Sequence, residues 1–127
     1  MKFYYSLKGV LFLLLSFLIS NVSAQDWVQI GLDIDGEAAG DRFGCSVSLN
    51  SDGTFIVVGA DRNDGGGEDA GHARVYQFTG GAWTQVGGDI DGELAYDWSG
   101  NSVSINDAGT IVAVGATRND GAGVSSG

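Results

Sequence analysis

The chain repeats itself, and that limits its fold more than any other feature. The segment from Trp27, WVQIGLDIDGEAAGDRFGCSVSLNSDGTFIVVGADRNDGGG, realigns without a gap on the segment from Trp83, WTQVGGDIDGELAYDWSGNSVSINDAGTIVAVGATRNDGAG. The offset is 56 residues, and well over half of the aligned positions are identical. A fixed period on this scale marks a solenoid or propeller built from one supersecondary unit that cannot bury its apolar face alone.

The unit reads as all-β. Gly44 to Leu49 alternates small or apolar residues with Ser, the period of a strand with one buried face. Asn50-Ser51-Asp52-Gly53 reads as a turn, since Asn and Asp tolerate the left-handed conformation and Gly adopts it freely. Thr54 to Ala60 is a continuous, β-branched apolar run suited to a strand buried on both faces. A Gly- and Asp-rich loop covers 61–71, and His72 to Phe78 alternates again. Thr79-Gly80-Gly81 makes a tight turn into a fourth short strand, Trp83 to Gly87. Four short antiparallel strands, repeated, are the content of a β-propeller blade. The segment 25–127 therefore holds about one complete blade and part of another, with units starting near Trp27 and Trp83. The chain has no Pro, so Gly, Asn and Asp make the turns.

Residues 1–24 read as an export signal. Lys2 and Lys8 precede the apolar run Val10 to Ile19, and Val22-Ser23-Ala24 offers small residues for cleavage after Ala24. A membrane-spanning helix needs about 20 apolar residues, more than this run supplies. The expected location is secreted or at the cell surface, with no membrane insertion after cleavage. Beyond the signal, Arg42, Arg62, Arg74 and Arg118 face 16 acidic residues, a net charge of about −12. Such a surface repels nucleic acid and anionic lipid. Cys45 is the lone cysteine, which excludes an internal disulfide; it reads as a small buried residue in a strand.

The repeat resembles the FG-GAP family, whose members include the propeller of integrin α chains. Phe43-Gly44 matches the first motif. Gly59-Ala60-Asp61 stands where the family has Gly-Ala-Pro, and His72 to Tyr76 matches the third strand. The second unit has Ser99-Gly100 and Gly115-Ala116-Thr117 at these places, so both copies lack the Pro and the second lacks the Phe. The resemblance implies an incomplete propeller: a piece of a longer chain, or a chain that assembles with copies of itself. Trp27 to Gly31 would then be a fourth strand able to complete another blade. The partners implied are the remaining blades or self-association, and an extracellular protein or glycan. The role implied is non-catalytic recognition or adhesion. A carbohydrate-active or other hydrolytic propeller with its catalytic residues elsewhere, or a Ca²⁺-stabilised surface stalk, are the alternatives.

Candidate sites are few. Family repeats often carry Ca²⁺ in the turn between the first two strands. Asn50 to Gly53 and Asn106 to Gly109 offer too few oxygens for the six to eight that Ca²⁺ takes, so they read as plain hairpin turns. Asp61, Asn63, Asp64, Glu68 and Asp69 have enough carboxylates for a weak Ca²⁺ site, but Arg62 within the loop points to an Arg–carboxylate clamp instead. Asp33-Ile34-Asp35-Gly36-Glu37 recurs as Asp89 to Glu93 and reads as a structural turn between blades. Zn²⁺ would need several His or Cys, and there is one of each. His72, the one histidine, reads as a strand residue with its ring at the surface, which leaves no Ser-His-Asp arrangement. Trp27 and Trp83 share a repeat position and read as packing between blades. Tyr96 and Trp98 replace Gly40 and Arg42, and are the expected ligand-facing aromatic pair.

Overall fold

The computed structural model describes residues 26–127; residues 1–24, read above as an export signal, lie outside the described residues. Seven strands form: β1 Ser46–Leu49, β2 Phe55–Ala60, β3 His72–Thr79, β4 Ala82–Gln85, β5 Ile90–Asp91, β6 Ser99–Ile105 and β7 Val112–Ala116. β1 to β4 make an antiparallel sheet in chain order, which is one four-stranded blade. β5 extends its outer edge by pairing Asp91 with His72 and Ile90 with Ala73. β6 and β7 form the second sheet, the counterpart of β1 and β2 one repeat later. The fold is all-β, an incomplete run of propeller blades. No helix among the described residues is long and apolar enough to cross a membrane.

The hairpin between β1 and β2 shows how the turn residues act. Gly53 N donates to Asn50 O at 3.1 Å, and Asn50 Oδ1 accepts from Phe55 N at 2.9 Å. Asn106 repeats this, with Gly109 N on its carbonyl and Thr110 N and Ile111 N on its Oδ1. Asp52 Oδ1 accepts from Thr54 N at 3.0 Å. The turn oxygens are used by the backbone itself, as plain hairpin turns require.

The core lies between the two sheets. Alternation along β2 and β3 sends Phe55, Val57, Ala73 and Val75 to one face, where Val103, Ile105, Val112 and Val114 of the second sheet meet them. Val57 and Ala73 are fully buried there. Each buried Val contributes roughly 1.5–3 kcal/mol. Polar contacts fix the register of the joint. Ser46 Oγ donates to Gly100 O at 2.7 Å, Ile105 N donates to Ser48 Oγ, and Asn50 Nδ2 donates to Asp107 O. Val47 and Leu49 point the other way and are 60% and 56% exposed. Their repeat counterparts are Val103 and Ile105, which are packed. The joint is therefore heterologous: the front of one blade meets the back of its neighbour.

Three sequence expectations change here. Cys45 is exposed and lies just before β1, its thiol facing Gly59 O and Gly100 O at 3.5 Å; the strand pairing starts one residue later. Trp27 to Gly31 forms no strand, and Trp27 is 93% exposed, because an alternating segment without a partner edge makes no ladder. Trp83 packs on Phe78, its cross-strand neighbour within the first blade, at 5.1 Å between ring centroids rather than between blades.

Candidate functional site

The long loops gather at one end of the sheets. The loop 61–71 joins β2 to β3, and the segment 86–98 leads from β4 into β6. The two run side by side: Tyr96 N donates to Glu68 O at 2.8 Å, Trp98 N to Asp69 O at 3.3 Å, and Ser99 N to Ala70 O at 2.9 Å.

Both repeats hold this end with the same polar device. Asn63 is buried; its Nδ2 donates to Asp41 at 2.8 Å and Glu37 at 3.1 Å, and its Oδ1 accepts from Gly65 N. Asn119 does the same to Asp97 and Glu93 at 3.3 and 3.4 Å, with Gly121 N on its Oδ1. Asp64 Oδ1 accepts from Asp69 N, and Asp120 Oδ1 from Ser125 N.

Four of the five loop residues weighed for Ca²⁺ thus have their side chains tied up in loop contacts. Asp61 is fully buried, with Oδ2 held by Arg42 at 3.2 Å and by Asn101 Nδ2 at 3.1 Å, while its buried Oδ1 has no hydrogen-bond partner. Asn63 and Asp64 bind the loop backbone as above. Asp69 is clamped by Arg62 at 3.1 Å, the Arg–carboxylate pair that the sequence pointed to. Glu68 lies beside the Tyr96 phenol and raises its pKa through a hydrogen bond. Asp61, Asp64, Glu68 and Asp69 do not converge on a common point.

Tyr96 and Trp98 part company. Trp98 is half-buried, with Arg118 stacked 3.6 Å and Arg62 4.8 Å from its ring centroid. It joins the two blades through cation–π contacts. Tyr96 is 48% exposed. Its φ is +69°, a left-handed conformation that its repeat counterpart Gly40 takes at +102°. Gly accepts that region freely; a Tyr there is strained.

Beneath this end lies a second group, around Arg74. Its Nε and Nη2 donate to Asp89 Oδ1 and Oδ2 at 2.8 and 2.6 Å, and Nη2 also meets Glu37 Oε1. The guanidinium holds the Asp89 and Glu37 carboxyls below their ordinary range, and its own pKa is raised in return. His72, on the strand start beside it, is 1% exposed. This corrects the expectation of a surface ring: the imidazole is buried at the start of β3, where β5 pairs with it. Burial, then the charge of Arg74, pushes the imidazole pKa down from 6.5, so the ring is neutral at pH 7. Among the described residues, Glu37, His72 and Asp89 are the one set of three metal-type side chains whose donor atoms lie together, all within 4.8 Å. Counting only His and Cys missed them, because two of the three are carboxylates distant in sequence.

The FG-GAP repeat family model matches residues 33–76. The chain carries an FG-GAP repeat. That repeat spans the first three strands of the first blade and the loop that precedes them. Phe43 of its first motif packs edge-on to Tyr76, with ring centroids 6.4 Å apart. Gly59 of its second motif lies where an added Cβ would strike Gly100 O, so the FG-GAP glycine lets the next blade approach. Asp61, standing where the family has Pro, anchors Arg42 and Asn101. No curated protein and no solved structure matches the chain.

Proposed function

We propose that this is an exported, non-catalytic FG-GAP repeat protein that recognises an extracellular protein or glycan through the loop end described above. The observation that carries the reading is Tyr96. A half-exposed aromatic side chain stands, at a cost in backbone strain, where the first repeat uses Gly. Strain of this kind persists where it serves a site. Tyr combines a large contact area with few rotatable bonds and a polar tip, which suits recognition surfaces. Export rests on the charged and apolar pattern of residues 1–24, and the acidic surface suits a protein outside the cell.

Binding to arrays of glycans and of extracellular matrix proteins tests the reading. Tyr96→Gly restores the residue of the first repeat, so it is expected to keep or raise the melting temperature while lowering affinity for the captured ligand at least tenfold. Unchanged affinity in Tyr96→Gly would remove the loop end as the recognition surface.

A further inference from the structure

His72 presents an unsettled account. It is the chain's one histidine, it is 1% exposed, and its buried Nδ1 has no hydrogen-bond partner. A buried polar atom left unpaired is costly, and such atoms mark an absent partner. Nδ1 points at two carboxylates: Asp89 Oδ2 lies 3.8 Å away and Asp91 Oδ1 4.0 Å away. Both distances are too long for a hydrogen bond. Two donor atoms that share one metal ion at bonds of about 2.0–2.2 Å lie no more than about 4.4 Å apart; the Asp89 distance falls within that span, and Asp91 stands outside the set of donors that converge. Glu37 closes the group from the third side.

The charges agree. Glu37 and Asp89 carry two negative charges and Arg74 one positive charge, which leaves a net negative charge beside the imidazole, and Asp91 adds another nearby. That surplus favours a cation. Arg74 does not fill the gap, because it leaves His72 Nδ1 without a bond. A carboxylate oxygen has lone pairs for both a guanidinium and a metal, and an Arg held on the ligating carboxylates would orient them. One imidazole nitrogen with carboxylate oxygens is a donor set for Zn²⁺ or Mn²⁺, whereas Ca²⁺ and Mg²⁺ take oxygen throughout.

We propose that His72 Nδ1, Asp89 and Glu37 bind one divalent transition-metal ion, which pins the segment before β1, the start of β3 and the β4–β5 link together. None of these positions belongs to the loop residues weighed above for Ca²⁺. The inference stands independently of the recognition role.

With one His in the chain, imidazole ¹⁵N NMR reads the site directly. After EDTA treatment and dialysis, Zn²⁺ is expected to shift the His72 Nδ1 resonance and saturate at one equivalent, while Mg²⁺ and Ca²⁺ at the same concentration leave it in place. Cys45→Ser, which removes the exposed thiol as a competing ligand, should respond identically. Glu37→Gln leaves the two-bond Asp89–Arg74 pair in place; it should weaken Zn²⁺ binding at least tenfold with the metal-free His72 resonance unchanged. An unmoved His72 resonance overturns the proposal, even if calorimetry records Zn²⁺ uptake, since uptake would then be diffuse binding to the acidic surface. Equal affinity in Glu37→Gln overturns the ligand set.

Discussion

Gly44 and Gly100 occupy one repeat position and show what a single residue does in two contexts. Both have positive φ, +87° and +81°. Around Gly44 there is open space. At Gly100 an added Cβ would run into His72 O and crowd Ala60 N, because the second blade approaches the first backbone to backbone there. The conformational cost of a side chain is the same at both sites, and only Gly100 adds a clash. Gly44→Ala is expected to cost about 1 kcal/mol, and Gly100→Ala about 1–3 kcal/mol more. Urea unfolding midpoints of the two variants measure the difference; equal losses would mean that the close approach at Gly100 does not exist. The same repeat logic explains Cys45 and Asn101. The thiol has no charged partner, while Asn101 reaches back to the buried Asp61. The sequence could show that the position tolerates both residues. It could not show that the two meet the joint from opposite sides, the thiol on Gly100 O and the amide on Asp61, because that depends on which neighbour is present.

Strands and turns were the legible level. Alternation over 44–49 and 72–78, the β-branched run over 54–60, and the Asn-x-x-Gly and Gly-Gly turns correspond to β1, β3, β2 and their hairpins, with bounds shifted by one or two residues. Pattern alone mistook Trp27 to Gly31 for a strand, since alternation supplies a face but not a pairing edge. It also missed β5, where two residues pair on the end of β3, and the burial of His72 beside it. The site was less legible than the fold. The position equivalent to Arg74 in the second repeat lies beyond Gly127, so no repeat comparison bears on it, and its partners Glu37 and Asp89 come from different copies of one motif. Repetition marked that motif as structural and hid what it holds. At the level of elements, the heterologous joint predicts opposite outcomes for identical changes. Val103→Asp puts an unpaired charge into the core and is expected to cost about 3 kcal/mol or more. Val47→Asp, on the exposed face of β1, is expected to stay within about 0.5 kcal/mol of the parent. Thermal melts of both variants decide the matter, and comparable losses would contradict Val103 lying in the joint between the sheets and Val47 outside it.

On the scale of the molecule, one blade stacked on the start of the next accounts for what the chain buries and what it leaves open. The apolar stripe Val57–Ala73–Ile105 is shared between sheets, so neither sheet covers its face unaided. The loops gathered at one end, the strained Tyr96 and the His72–carboxylate group all sit on this stacked frame. The frame is therefore the claim on which the rest depends. A methyl NOE experiment on selectively labelled protein measures it most directly. The account predicts cross-peaks between the Val57 and Ile105 methyls, and between the Val75 or Phe55 side chains and Val103, Val112 or Val114. Absence of these contacts, with the Val103 and Ile105 methyls open to a soluble paramagnetic probe, would contradict it.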